Sequence, residues 1–261
     1  VESAATERAR ERLVNEVAKP TQVEQSTSLG ARVDAEVHLK TEHLQWTGSF
    51  KTRGAYNESA QDVDRGVEEF VAASAGNHAQ GVAFAATSCG ASSTVFMPEN
   101  APQAKIDATR SYGGSVELVG RNFQETLSHA QTVAEKTGAE FVHAYDDPDI
   151  IAGQGTLGLE MYHDNPAVDT IVVPLGGGGL IGGGAASMPP ASAASRVAAA
   201  ASTFLTRALT AGTVTALMLS SSTPRPTSSS VSAGSPAISP HMPTQASASA
   251  AAVVVRSIVR N

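Results

Sequence analysis

The sequence predicts an α/β protein with parallel sheets over residues 1–184, followed by a low-complexity segment over residues 185–261. Three observations lead to this prediction. Short apolar strand candidates alternate with helical patterns in the first part. The last of these strands runs directly into a loop of four glycines, as ligand loops do at the carboxyl ends of strands in doubly wound sheets. Beyond about Gly184 the composition changes abruptly.

The predicted elements follow one another in regular order. Charged and apolar positions at helical spacing predict a first helix over 3–18, which Pro20 ends. The chain continues with strands at 36–40, 70–73, 94–97, 115–119, 140–143 and 170–174, and with helices at 78–88, 102–112, 122–137 and 153–163. Another helix is expected to begin near Lys51. This alternation predicts parallel sheets with helices on both faces.

The C-terminal segment is unlike the rest of the chain. Residues 185–261 contain no Asp, Glu or Lys, and Ala, Ser, Thr and Pro make up 50 of these 77 residues. Such a composition buries too little apolar surface to offset the entropy of ordering, so it predicts a disordered tail. Two stretches, 203–219 and 251–259, are candidates for a helix or a strand. A shifted reading frame is the competing interpretation, because GC-rich codons read out of frame encode the same residue types.

Composition also excludes several functional classes. The formal net charge is -7 and there is no basic stripe, which argues against a nucleic-acid partner. Cys89 is the only cysteine, so an intrachain disulfide and a cysteine-built metal site are excluded. The histidines lack metal-ligand spacing, and no metal is expected. No apolar run approaches the roughly 20 residues that cross a bilayer, and no secretory signal is evident. The expectation is a cytoplasmic protein without a membrane partner.

The glycine run is the first candidate ligand site. Gly176, Gly177, Gly178 and Gly179 follow an apolar strand and precede an expected helix. Glycines let a ligand approach backbone N–H groups, and a helix N-terminus favours an anion. A flexible linker that opens the tail is the alternative. The run lacks the ending of a Walker loop, which favours the phosphate of a non-nucleotide cofactor.

Two further stretches contain candidate polar residues. Lys51 lies beside Phe50 at a probable helix start, where positive potential from the helix and from Arg53 would lower its pKa and suit a Schiff-base lysine. The alternative is a surface lysine. In 74–81, small and polar residues join a strand to a helix and suit a carboxylate, while Asn77 is either a helix cap or a ligand contact. His78 is interpreted as structural rather than as a general base, and Glu160 as a solvated helical residue.

Taken in order, these segments resemble the fold-type II pyridoxal-phosphate (PLP) enzymes, the tryptophan synthase β-like class. The similarity is greatest to the branch of threonine dehydratase, serine dehydratase and serine racemase, and it covers most of residues 20–184. The motifs that carry it are Leu39–Glu42, Gly48–Ala55, Ser74–Gly81, Met97–Pro98, Ala101–Pro102 with Lys105, Ala152–Thr156 and Pro174–Gly179.

The resemblance implies roles for individual residues. Lys51 would bind PLP covalently and then take the substrate α-proton, and Phe50 would pack against the pyridine ring. Asn77 would hydrogen-bond the phenolic oxygen of PLP. The remaining contacts would be a substrate-carboxylate loop, Ser74, Ala75, Gly76, Asn77 and His78, and a phosphate loop, Gly176, Gly177, Gly178, Gly179 and Leu180.

The implied reaction is α,β-elimination of L-threonine or L-serine to a 2-oxo acid and ammonia, with PLP as the electron sink. Racemases of this branch resemble a version with serine where this chain has Ala75, so a lyase is favoured over a racemase. A β-replacement enzyme remains an alternative, as does a truncated or frame-shifted inactive relative. A homodimer is possible.

The resemblance stops near Gly184. In this family the later chain completes the large domain and supplies a partner for the pyridine nitrogen, and nothing corresponding is found here. The expected organisation is therefore a partial large domain, 1–51 plus 148–184, with a small α/β domain, 52–147, inserted in it. Residues 185–261 would form the tail.

Overall fold

The computed structural model describes residues 3–14, 17–168 and 170–187, together with the backbone of residues 196–201 and 252–257. The strands are β1 Val23–Gln25, β2 Ala35–Lys40, β3 Glu69–Ala73, β4 Ser92–Met97, β5 Ser115–Leu118, β6 Glu140–Phe141, β7 Thr170–Leu175, β8 Arg196–Ala201 and β9 Ala252–Ser257. The helices are α1 Ser3–Val14, α2 Thr27–Val33, α3 Lys51–Asp64, α4 Asn77–Ser88, α5 Gln103–Ser111, α6 Phe123–Thr137, α7 Pro148–Asp164 and α8 Gly179–Ala186, with short 3-10 helices at Glu42–Leu44 and Trp46–Gly48.

One sheet is wholly parallel, with strand order β5-β4-β3-β6. Alternate residues of β3 face opposite sides, as the pleat requires. Val71 and Ala73 pack with α6, whereas Phe70 and Ala72 pack with α3 and α4. A sheet covered on both faces is buried throughout, which explains why β3 is nearly all apolar. The predicted α/β class is confirmed here.

The other sheet is mixed, with strand order β1-β2-β9-β7-β8. β7 pairs parallel with β8, but β9 is antiparallel to both β2 and β7. β1 and β2 are also antiparallel, in register from Val23 opposite Lys40. The connection between them contains only the short α2, whereas a parallel crossover takes a dozen or more residues. The prediction of parallel sheets thus holds for the first sheet and only in part for the second.

α7 lies between α3 and α8 and contacts both through glycines. A methyl group on Gly153 would lie 2.6 Å from the carbonyl oxygen of Arg53 in α3, and one on Gly155 would lie 2.8 Å from the carbonyl oxygen of Gly183 in α8. Such distances are below van der Waals contact, so the two helix crossings require residues without a Cβ. Through these crossings α7 fixes the position of the helix that begins with Lys51 relative to the helix that follows the glycine run.

The largest difference between a predicted and an observed boundary is at the start of α7. α7 begins at Pro148, five residues before the predicted 153, because Asp147 caps it. The Asp147 side chain accepts hydrogen bonds from the N–H groups of Asp149 and Ile150, at 2.7 and 3.0 Å. Proline at the first helical position needs no hydrogen-bond acceptor for its nitrogen.

The C-terminal segment contributes backbone to the mixed sheet. β9, Ala252–Ser257, falls within the candidate stretch 251–259 and lies between β2 and β7. The other candidate, 203–219, lies outside the described residues, as does most of the predicted tail. Among the helices that the structure describes, none combines the length and apolar character needed to cross a membrane.

Candidate cofactor-binding site

Lys51 is the first residue of α3, and its side chain enters the protein. Its Nζ donates a 2.5 Å hydrogen bond to the backbone carbonyl of Ala144, in the loop between β6 and α7. Burial lowers the pKa of Lys51 from 10.5 to about 8. Gly81 of α4 lies against the Lys51 backbone, where a methyl group would be 3.2 Å from its carbonyl carbon. The residue is only partly exposed and its amine bonds to the protein, which argues against the surface-lysine alternative.

Arg53 does not lower the pKa of Lys51, contrary to the prediction from sequence. Its guanidinium is 1% exposed and lies between two carboxylates, those of Glu42 and Glu160. The hydrogen bonds to Glu42 are both 2.8 Å, and those to Glu160 are 2.6 and 2.9 Å. Burial works against the charged form of Arg53, but these two carboxylates outweigh it and raise its pKa. The charge of Arg53 is thus neutralised locally.

Glu160 belongs to this buried network and is not the solvated residue predicted from sequence. Its carboxylate also pairs with Lys40 of β2, at 2.8 Å, and Lys40 reaches Asp164 at 3.4 Å. Burial raises the pKa of Glu160, but Arg53 and then Lys40 outweigh burial and lower it. The network joins β2, α3 and α7 through buried ion pairs, so we assign it a structural role.

Ser74, Ala75 and Gly76 join β3 to α4, and Asn77 and His78 are the first two residues of that helix. The hydroxyl of Ser74 accepts a 3.1 Å hydrogen bond from the Gly76 N–H, within the loop itself. Gly76 caps α4 without a side-chain hydrogen bond to the first N–H groups. The Asn77 side chain does not serve as that cap, because Asn77 is already the first residue of the helix. Ala75 and Asn77 are partly exposed, and the other three residues are buried. These N–H groups at a helix start favour an anion.

His78 is held as a neutral ring. Its Nε2 lies 3.1 Å from the carbonyl oxygen of Val142, to which it donates. Burial and the nearby charge of Lys51 lower the pKa of His78 to about 3. A ring with this pKa gives little basicity to a proton-transfer step near neutral pH. The structural interpretation of His78 made from sequence is consistent with this contact.

The glycine run forms an open turn at the carboxyl end of β7. Gly178 has a φ of 96°, in the region that glycine favours, and it caps α8 without a side-chain hydrogen bond. The first turn of α8 contains no acidic residue. Methyl groups on Gly176 or Gly178 would meet nothing within 4 Å, so space is open beside the turn. Leu180 is buried in the same apolar cluster that Phe50 contacts, which links the turn to the residue before Lys51.

Sequence reasoning missed the contribution of the loop at 142–147. Besides the Ala144 carbonyl, this loop places the Tyr145 ring against the glycine turn: a methyl group on Gly177 would overlap it at 2.1 Å. The ring also packs edge-on against His143, with centroids 4.7 Å apart. A backbone carbonyl leaves no sequence signal, but an aromatic after the short strand 140–143 was visible. The structure thus brings together Lys51, the Ala144–Tyr145 loop and the glycine turn.

A sequence model of the family described as pyridoxal-phosphate dependent enzyme matches residues 14–255. The chain belongs to this family. The motif resemblance in the sequence is confirmed, and so is pyridoxal phosphate as the family cofactor. The match extends beyond Gly184, where the resemblance was expected to stop.

Two curated relatives of this PLP-family chain illustrate how far the similarity extends. This chain is 50% identical over 170 residues to the L-threonine ammonia-lyase of Thermotoga maritima. The aligned region covers 64% of this chain and 42% of the relative. This chain is also 51% identical over 141 residues to the catabolic L-threonine dehydratase of Staphylococcus aureus. That aligned region covers 54% of this chain and 41% of the relative. The chain therefore spans about two fifths of the length of these relatives.

Solved structures share the fold of this PLP-family chain. The processed form of threonine deaminase isoform 2 from Solanum lycopersicum superposes with a TM-score of 0.70 at 34% identity, and covers 76% of this chain and 56% of that one. Maize serine racemase superposes with a TM-score of 0.73 at 32% identity, and the match covers 83% of this chain and 67% of that one. The fold-type II class predicted from the motifs is thereby confirmed.

The residues present fit the PLP of the family on two independent grounds. Lys51 has a partly buried amine whose described hydrogen-bond partner is a neutral carbonyl, so the amine remains available for a covalent bond to an aldehyde. The glycine turn leaves open space beside Gly176 and Gly178 at the start of α8, and a helix start suits a phosphate.

Proposed function

We propose that this chain carries the PLP-binding part of an ammonia-lyase that removes water and ammonia from L-threonine or L-serine. The observation that carries the proposal is the partly buried Lys51 amine, which has no carboxylate partner among the described residues and bonds to the same loop that packs on the glycine turn. The relatives named as threonine ammonia-lyase and threonine dehydratase support this reaction over other PLP chemistry.

The cofactor contacts in this proposal use the residues singled out in the sequence. Lys51 would hold the cofactor covalently, with Phe50 against the pyridine ring and Asn77 on its phenolic oxygen. The phosphate would lie against the N–H groups of Gly176, Gly177, Gly178, Gly179 and Leu180. When bound, PLP supplies an electron sink for the pair left on the substrate α-carbon.

Lys51 would also serve as the base. Once the substrate amine has replaced it on the cofactor, its free Nζ would take the α-proton. The bond between the β-carbon and its hydroxyl would then break, and Nζ would return the proton to the hydroxyl, which would leave as water. Hydrolysis of the resulting enamine then gives a 2-oxo acid and ammonia. A pKa of about 8 matches this role, because a base that is partly unprotonated near neutral pH can accept a proton and return it.

The substrate carboxylate would lie against the loop of Ser74, Ala75, Gly76, Asn77 and His78. His78 contributes no positive charge there, because its low pKa keeps the ring neutral. The attraction would come from the N–H groups at the start of α4, which have no side-chain cap. Ala75 carries no group that can exchange a proton on the second face of the substrate, which favours elimination over racemisation.

We further propose that the parallel sheet corresponds to a small domain, 52–147, inserted in a large domain formed by 1–51 and 148–184. A second copy of the chain is a possible partner. We propose the cytoplasm as the compartment, because a chain with a single cysteine, Cys89, suits a reducing environment.

An assay of 2-oxobutanoate release from L-threonine and pyruvate release from L-serine tests the proposal. We expect release that depends on added PLP and disappears in Lys51→Ala, while Lys105→Ala, a change outside the site, behaves as the parent chain does. Release that persists in Lys51→Ala would contradict the proposal. Conversion to the D-amino acid without 2-oxo acid would favour the racemase alternative.

A second candidate is an inactive relative of the same fold, truncated or frame-shifted after residue 184. The observation that favours it is the composition of residues 185–261, which contain no Asp, Glu or Lys. It predicts no release of 2-oxo acid, together with rapid proteolysis within 185–261 of the purified chain.

A further inference from the structure

A cluster of carboxylates lies away from the cofactor-binding site, at the far end of α3. Glu58 and Asp62 are one turn apart on this helix and therefore share a face. Glu140, the first residue of β6, joins them: one oxygen from each of the three carboxylates lies within 4.8 Å of the others. Like charges this close repel one another, so the arrangement calls for a positive partner or a bound proton.

The cations near this cluster do not balance it. Arg65 pairs with Asp62 at 2.7 Å, but its side chain is 63% exposed, so much of its charge is screened by solvent. Arg12 of α1 donates to the Asn57 side chain, one residue before Glu58, and not to the cluster. Three carboxylates thus face one exposed guanidinium among the described residues.

Glu58 provides a second, independent observation. Its side chain is buried, with the residue only 5% exposed, yet its Oε2 has no hydrogen-bond partner among the described residues. A buried carboxylate oxygen without a partner is rare in proteins, because its lost hydration is not replaced. It is one of the residues whose oxygens converge in the cluster. If Glu58 served only in packing, nothing would replace the lost hydration of this oxygen.

We propose that Glu58, Asp62 and Glu140 bind a hard divalent cation, of the kind represented by calcium or magnesium. Carboxylate oxygens are the ligands such ions prefer, and ligands 2.3–2.6 Å from one calcium ion lie up to about 5 Å apart. The span of 4.8 Å falls within that limit. Glu140 is exposed, which leaves an entry path for the ion from solvent.

The cation would compete with a proton on Glu58. Burial, followed by the charges of Asp147, Asp62, Glu140 and Asp149, raises the pKa of Glu58 to about 10. The carboxylate of Asp147 is already used by two N–H groups at the start of α7, so it is not counted as a ligand. Without a cation, Glu58 is therefore protonated near neutral pH, and a bound cation displaces that proton.

Titration calorimetry on the purified full chain, freed of metal by a chelator, tests the proposal. Calcium chloride and magnesium chloride are added separately, in two buffers with different ionisation enthalpies. We expect saturable binding of one ion per chain with release of protons, and affinity that rises with pH. Glu58→Gln and Asp62→Asn should weaken binding at least about tenfold, and Glu135→Gln, an exposed carboxylate on α6, should leave it unchanged.

Glu58→Gln also separates loss of binding from loss of folding. The variant removes a buried acid from a repulsive cluster, so its melting temperature in chelator should equal or exceed that of the parent chain. Added cation should raise the melting temperature of the parent but not of Glu58→Gln. The proposal is overturned if neither cation binds the parent saturably, or if Glu58→Gln binds as tightly as the parent.

Discussion

Lys51 and Arg53 lie two residues apart at the start of α3, and both side chains enter the protein, but their surroundings are opposite. Arg53 is fixed between the carboxylates of Glu42 and Glu160, and its pKa is raised. Lys51 donates to the neutral Ala144 carbonyl, and burial lowers its pKa to about 8. One helix therefore holds a permanent cation that anchors it and an amine that can lose its proton.

The difference explains how the site can be both rigid and reactive. A carboxylate beside Lys51 would keep its amine charged and unable to attack a carbonyl group. The network around Arg53 supplies rigidity instead, because it joins β2 and α7 to the helix that begins with Lys51. Substitutions at the two positions should therefore separate reactivity from rigidity.

Lys51→Ala should abolish turnover and leave the fold intact. We expect 2-oxo acid release to fall by at least about 1000-fold, because the change removes both the covalent attachment and the proposed base. The far-ultraviolet circular dichroism spectrum should be unchanged, since the Lys51 side chain makes a single described hydrogen bond. A large loss of the helical circular dichroism signal in Lys51→Ala would instead mean that Lys51 is needed for folding.

Arg53→Met, in contrast, should mainly lower the free energy of unfolding. It leaves the buried Glu42 without a cation and Glu160 with Lys40 alone, which costs about 3–5 kcal/mol of unfolding free energy. Urea denaturation measures this loss. The matched control is Arg121→Met, which breaks the exposed pair with Glu125 and should cost less than about 1 kcal/mol. Equal effects of the two changes would refute the buried network.

Gly153→Ala should destabilise the crossing of α7 with α3 by about 1–3 kcal/mol, because the added methyl overlaps the Arg53 carbonyl and the Gly54 Cα. Gly184→Ala in α8 is the control, since a methyl there meets nothing within 4 Å. If the chain tolerates Gly153→Ala as well as Gly184→Ala, the helices do not depend on this close approach.

The rate of PLP capture should depend on pH through the Lys51 amine. Below a pKa of about 8, the neutral fraction falls about tenfold per pH unit, and the rate should fall with it. The folded pKa is below the ordinary 10.5, so the unfolded chain binds more protons between these values and stability should rise with pH in that window. A PLP-capture rate that keeps rising up to pH 10 would show that the pKa of Lys51 is close to the ordinary 10.5.

Much of the fold follows from local sequence. The strands β3 and β4 and the helix α4 lie within two residues of their predicted ranges, because continuous apolar strands and glycine turns are local signals. The start of α7 was missed, although Asp147 followed by Pro148 is a recognisable helix start. β1 and α2 were also missed, since three- and seven-residue elements carry little periodicity.

The candidate site was predicted less completely, because its energetics depend on distant partners. Glu160 looks like a solvated helical residue until Arg53, 107 positions away, is placed beside it. The partner of Lys51 is a backbone carbonyl 93 positions away, which no residue type announces. The motifs locate the residues, but only the fold shows that Arg53 is neutralised and Lys51 is not.

The absorption spectrum of the purified chain with added PLP tests the central claim most directly. We predict a visible band from the lysine-bound cofactor in the parent chain and in Lys105→Ala, and its absence in Lys51→Ala. The same band in Lys51→Ala, or no band in a folded parent chain, would contradict the assignment of Lys51 as the residue that holds the cofactor.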